Sequence, residues 1–78
     1  MTLAFLLITT KVGNEKAVVE RLLSFEEIEE ANILFGEWDI IAKIKTSDNK
    51  NMQAFIIDKI RNLEGVTQTS ALIAADTI

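Results

Sequence analysis

The sequence predicts an α+β fold of order β-α-β-β-α-β: a four-stranded antiparallel sheet with two helices on one face. Three observations predict it. Residues 2–10, 28–35, 38–46 and 66–75 form apolar or alternating runs of strand length, rich in Ile, Val, Thr and Phe. Two stretches between them carry apolar residues at helical spacing. The chain also resembles itself. A shift of about 38 positions sets Val19 on Ile57, Leu22 on Ile60, Phe25 on Leu63, Ile28 on Val66 and Leu34 on Leu72. Two right-handed crossovers of such a repeat place both helices on one face of the sheet, the ferredoxin-like split βαβ arrangement.

In the first strand, Leu3/Phe5/Leu7 and Ala4/Leu6/Ile8 occupy alternate faces. Both faces are apolar, so both are expected to be covered. Lys11-Val12-Gly13 breaks the strand. Asn14 is placed to cap a helix, with Glu15 in its first turn. Val18, Val19, Leu22 and Leu23 make its apolar stripe; Glu20 and Arg21 face outward. The second strand, 28–35, is firmest at Ile33-Leu34-Phe35. The competing reading is one helix from 14 to 35, which lacks an apolar stripe beyond Phe25.

Phe35-Gly36-Glu37-Trp38-Asp39 reads as a tight hairpin connection, with the only Trp and one of three Gly. In the third strand Ile40, Ala42 and Ile44 share one face; Asp39, Ile41, Lys43 and Lys45 share the other. Asp48 is a good N-cap for a helix whose stripe is Met52, Phe55, Ile56, Ile60 and Leu63. Glu64-Gly65 ends that helix. In the last strand Thr67, Thr69 and Ala71 share a face, and Gln68 and Ser70 the other. Asp76-Thr77-Ile78 is a short tail.

The composition narrows the chemistry. Seventy-eight residues with no Cys and no His are expected to form one domain without disulfides, imidazole bases or zinc sites. No calcium loop or Gly-rich phosphate loop is present. No cofactor or metal is expected. The net charge of −4 is the wrong sign for a phosphate backbone, so no direct nucleic-acid contact is expected. The longest apolar run is too short for a membrane span, and no signal peptide is recognisable, which points to the cytoplasm. Ser24, Ser47 and Ser70 have no histidine to activate them, and the pairs Glu26/Glu27 and Glu29/Glu30 read as a solvated acidic edge. The chain is therefore not expected to be an enzyme.

Hydrophobic residues are 49% of the chain, and two helices can cover only one face of the sheet. Whichever parity faces away, the first strand presents an apolar triplet, joined by Ile41 and Ile73 or by Ile44 and Leu72. Such a patch is a liability in a monomer, and a homodimer formed sheet to sheet is expected. The hydroxyls of the last strand, with free N–H groups at the hairpin, suit the two charges of a small zwitterion. The plainer reading is that Thr is a good strand residue.

The run from Gly36 to Lys43 resembles the glycine–acidic–aromatic–Asp–apolar hairpin of the Lrp/AsnC family of amino-acid-responsive regulators. Phe55-Ile56 with Ile60, Leu63-Glu64-Gly65-Val66 and Thr69-Ser70-Ala71 resemble the family's second helix, Leu-Pro-Gly-Val turn and Thr-x-Thr strand. The resemblance covers the C-terminal effector (RAM) domain. It implies a ferredoxin-like dimer that assembles into octamer-like rings and binds an amino-acid effector between dimers. The implied ligand contacts are Gly36, Glu37, Trp38 and Asp39 from the hairpin, and Thr69, Ser70 and Ala71 from the last strand. Glu64 stands where the family has Pro, and Ala71 removes one hydroxyl. Met1 leads straight into the first strand, so a stand-alone effector domain is expected, modulating full-length Lrp/AsnC regulators by co-assembly. Two alternatives share the topology: a small dimeric α+β barrel enzyme, and an ACT-like regulatory domain.

Overall fold

A computed structural model of the chain describes residues 1–75; the expected tail at 76–78 lies outside the described residues. The elements are β1 (Thr2–Thr10), α1 (Glu15–Leu23), β2 (Ile28–Ile33), β3 (Ile40–Thr46), α2 (Asn49–Phe55) and β4 (Val66–Ile73). The last turns of α2 continue over Ile56–Ile60 in π geometry, with Arg61 N–H donating to the Ile56 carbonyl at 3.0 Å. The strands pair antiparallel in the order β2-β3-β1-β4. This is the ferredoxin-like arrangement, and it excludes a single helix through residue 35. The internal repeat is visible in the strand starts: Thr2 and Ile28 in the first half correspond to Ile40 and Val66 in the second.

The core lies between the sheet and the helices. Ala4, Leu6 and Ile8 of β1 and Ile40, Ala42 and Ile44 of β3 are fully buried there. Alternation along both central strands puts these residues on one face. Val18 and Leu22 of α1, and Met52 and Ile60 of the second helix, close over them and are also 0% exposed. Phe25 and Phe55 meet edge to face, with centroids 5.4 Å apart.

The two helix starts differ. Asp48 accepts a hydrogen bond from Asn51 N–H at 2.7 Å, as expected of an N-cap. Asn14 makes no side-chain cap. Its amide instead lies over Gly65, where an added Cβ would come within 2.9 Å of Nδ2. Gly65 has φ +94, so it supplies both the turn into β4 and the space for Asn14.

Two irregularities shift side chains between faces. The β1–β4 register shifts between Thr9 and Thr10: Thr9 pairs with Gln68 and Thr10 with Val66, leaving Thr67 as the extra residue. A bulged pair of residues faces the same side as its single partner. Thr67 therefore joins Thr9, their hydroxyls 2.8 Å apart, and does not share a face with Thr69 and Ala71. The expected alternation failed there because one residue was inserted. A second shift, between Ile28 and Glu30, lies on β2.

Pairing also fixes which apolar residues lie on the uncovered face. Phe5 pairs with Leu72, and Leu7 pairs with Ile41 and Ser70. The open face therefore carries Leu3, Phe5, Leu7, Ile41 and Leu72. Ile73 pairs with Ala4 and sits on the helix side, so neither expected combination of β3 and β4 residues was right. Beside this patch Glu29 bridges Lys43 at 3.8 Å and Lys45 at 3.6 Å. Among the described residues no helix is long and apolar enough to cross a membrane.

Candidate functional site

The segment between β2 and β3 is longer than the tight turn its glycine suggested. Residues 34–39 lie outside the strands, closed by Leu34 N–H donating to the Asp39 carbonyl at 2.8 Å. Gly36 stands at φ +134, a region side chains rarely adopt, with open space where a Cβ would lie. Its role in the fold is conformational: among the described residues beyond its chain neighbours, none lies within 4 Å of where its Cβ would stand. Phe35 is fully exposed, Glu37 is exposed, and Trp38 and Asp39 are half-buried. Among the described residues, the N–H groups of Phe35, Gly36, Glu37 and Trp38 donate no hydrogen bond. Exposed N–H groups without an internal acceptor are open to water or to an acceptor on a ligand.

Asp39 ties this tip to the central strand. Its N–H donates to the Ile8 carbonyl at 2.9 Å, and its Oδ2 accepts from Thr10 N–H at 2.8 Å. The hairpin is thus held at the C-terminal end of β1, where the β1–α1 and α2–β4 connections also lie. Lys11 N–H donates to the Gly65 carbonyl at 2.8 Å across that end.

Thr69 and Ser70 reach the same end of the sheet from the other side of β1, paired with Ile8 and Leu7. Ile8 also pairs with Ile40, so Thr69 and the start of β3 lie two strand spacings apart, about 10 Å. Thr69 and Ala71 face the helix side and Ser70 the open side. The hairpin and β4 residues therefore do not converge on one small ligand within a single chain. Thr69 lines a shallow groove with Arg61, Val66, Thr67 and Gln68. A groove of about 710 Å³ lies at the opposite end of the sheet, between α2 and the α1–β2 connection, and includes none of the seven expected residues.

Two features of the hairpin end escaped sequence reasoning. The full exposure of Phe35 had no signal, because apolar neighbours suggested a continuing strand. Thr10 is 9% exposed, and its Oγ1 is buried with no hydrogen-bond partner among the described residues. Its place in an apolar strand hinted at burial but not at the missing partner.

Fold and hairpin together describe a ferredoxin-like fold with an exposed turn at one end of its sheet, its N–H groups without an acceptor among the described residues. Residues 3–78 match the family model described as the Lrp/AsnC ligand binding domain, and the chain belongs to that family. It is 35% identical over 75 residues to the HTH-type transcriptional regulator FL11 of Pyrococcus abyssi, covering 96% of this chain and 49% of that protein. The chain spans about half the length of the curated relatives it matches. A hypothetical protein from Pyrococcus horikoshii, PHS023, has a similar structure: TM-score 0.93 and 39% identity, over 99% of this chain and 93% of that one. The fold also recurs in the transcriptional regulator NMB0573 of Neisseria meningitidis, solved as an L-Met complex. That likeness has a TM-score of 0.87 at 16% identity, over 99% of this chain and 51% of that one.

Proposed function

We propose that this domain is a non-enzymatic effector-binding and assembly module that modulates transcriptional regulators of its family. The observation that carries the reading is the stapled hairpin tip with four unpaired N–H groups, in a chain of the Lrp/AsnC ligand-binding family. These N–H groups suit a carboxylate, and the acidic hairpin offers a negative charge for an ammonium. An amino acid carries both. The regulator from Neisseria meningitidis, solved with L-Met, supports that ligand class. The relatives' names as transcriptional regulators support a regulatory role over an enzymatic one.

The separation of the hairpin from Thr69, Ser70 and Ala71 supports a site completed by a second chain: the hairpin of one protomer against β4 of another. Gly36, Glu37, Trp38 and Asp39 then form one wall and the β4 residues the other. The apolar open face supports a sheet-to-sheet homodimer beneath that contact, and dimers joined through the site form a ring. Full-length regulators of the family, with the same domain, are the partners it co-assembles with.

Calorimetric titration with the twenty standard amino acids, alongside light scattering, tests the reading. Saturable binding coupled to a change in assembly is the expected result. No binding at millimolar concentration would remove the sensing role, and a monomer at all concentrations would remove the assembly role.

A further inference from the structure

The hairpin carries two carboxylates, and the structure uses them differently. The β1–β3 ladder ends at the Ile8–Ile40 pair. Beyond it the hairpin diverges, and Thr10 N–H is left without a strand carbonyl on that side. The Asp39 carboxylate supplies the acceptor, at 2.8 Å from a residue only 9% exposed. Hydrogen bonds from N–H to a carboxylate are shorter and stronger than neutral ones. With Asp39 N–H donating to Ile8 at 2.9 Å, this residue grips β1 through both backbone and side chain. The carbonyl of the same residue closes the loop onto Leu34 N–H at 2.8 Å. Three contacts from one residue set where the tip stands.

Glu37 is the reverse. It is exposed, two residues away, and among the described residues its carboxylate has no hydrogen-bond or ion-pair partner. It is therefore free to turn toward a ligand without giving up a contact within the fold.

We infer that Asp39 is a positioning residue that staples the hairpin to β1, and that Glu37 is the carboxylate that meets the effector's ammonium group. The inference rests on the effector-binding reading above and divides the roles within that site. Asp39 then acts on affinity through tip geometry. Its charge is dispensable where an uncharged acceptor can replace it; the charge of Glu37 is not.

Asp39→Asn, Asp39→Ala and Glu37→Gln separate the two roles. Asn keeps an oxygen that accepts from Thr10 N–H but presents an amide, not a charge, to an ammonium group. Titration with L-methionine and the other standard amino acids is the first measurement; hydrogen exchange of the Thr10 amide by NMR is the second. Asp39→Asn is expected to keep Thr10 protection and bind within about threefold of wild type, whereas Asp39→Ala loses both. Glu37→Gln is expected to keep Thr10 protection and lose about 10- to 100-fold in affinity, the worth of a hydrogen bond to a charged group. Asp39→Asn binding as poorly as Asp39→Ala, with Thr10 still protected, would overturn the positioning role. Wild-type affinity in Glu37→Gln would overturn the ammonium assignment. If wild type binds no amino acid, the functional reading fails and takes the Glu37 assignment with it. The Thr10 exchange rates would still decide whether Asp39 is the staple.

Discussion

Replacing Phe5 with Glu tests the proposed sheet-to-sheet dimer most directly. Phe5 is central on the open face, flanked by its pairing partners Lys43 and Leu72, and is 37% exposed in the single chain. A Phe side chain offers roughly 200 Å², so about 75 Å² remains for a partner to cover. A two-fold dimer covers that area twice, about 150 Å² in all. At about 25 cal/mol per Å² the contribution is about 4 kcal/mol, between two and three orders of magnitude in the dimer dissociation constant. Two carboxylates brought into that interface can only enlarge the loss. The monomer fold should survive, because Phe5 is outside the buried cluster and strand preferences span only about 1 kcal/mol. Sedimentation equilibrium at micromolar concentration, with circular dichroism as the check on folding, reads the outcome. Leu23→Glu, at a comparably exposed apolar position on α1, serves as the control and should sediment as wild type. A folded Phe5→Glu protein with unchanged association would refute the open face as the dimer interface.

Three stability predictions follow from local geometry, each measured by chemical denaturation. Asp48→Ala removes the acceptor for Asn51 N–H and should destabilise by about 1 kcal/mol; Asn14→Ala, at a start without a side-chain cap, should not show that capping loss. Gly65→Ala forces a Cβ at φ +94 to within 2.9 Å of Asn14 Nδ2 and 3.1 Å of Val18 Cγ2, and should cost about 1–3 kcal/mol. Thr10→Val removes a buried hydroxyl that has no partner among the described residues while keeping the shape, and should stabilise by about 1 kcal/mol. A loss of stability in Thr10→Val would mean that a hydrogen bond to that hydroxyl had been removed.

The element order was legible because it rests on periodicity, which acts over a few neighbouring residues. Ala4, Leu6 and Ile8 alternate with Leu3, Phe5 and Leu7, and Met52, Phe55, Ile56 and Ile60 recur at helical spacing; all the helix-facing members of these sets are buried. What periodicity cannot give is which of two apolar faces turns inward, since both satisfy the same pattern. Register between strands decides that, and register depends on bulges that leave no mark on local sequence. For this reason alternation alone misplaces Thr67, and it is Leu72, not Ile73, that shares the open face with Ile41. Asn14 failed as a cap for a related cause. Its side chain found a neighbour about fifty residues away, at Gly65, and long-range packing overrode a local preference.

The candidate site divides along the same line. Gly36 was readable because φ +134 is a local demand that favours glycine. Asp39 stood out in the sequence as well, but its most evident work is on a strand that precedes it by about thirty residues. A carboxylate next to a glycine and an aromatic suggests a ligand contact; only the Thr10 amide shows that one of its oxygens is already engaged. Thr69 and Ser70 are adjacent in sequence yet point to opposite faces of β4, so one ligand lying against one face meets only one of the two side chains. A site that uses both must reach around the outer edge of β4, which among the described residues no neighbouring strand covers. The hairpin of the same chain cannot do that, because β1 stands between them. The edge is open to a second chain, and a hairpin tip that projects from the sheet, with Phe35 wholly exposed, has the reach to approach it.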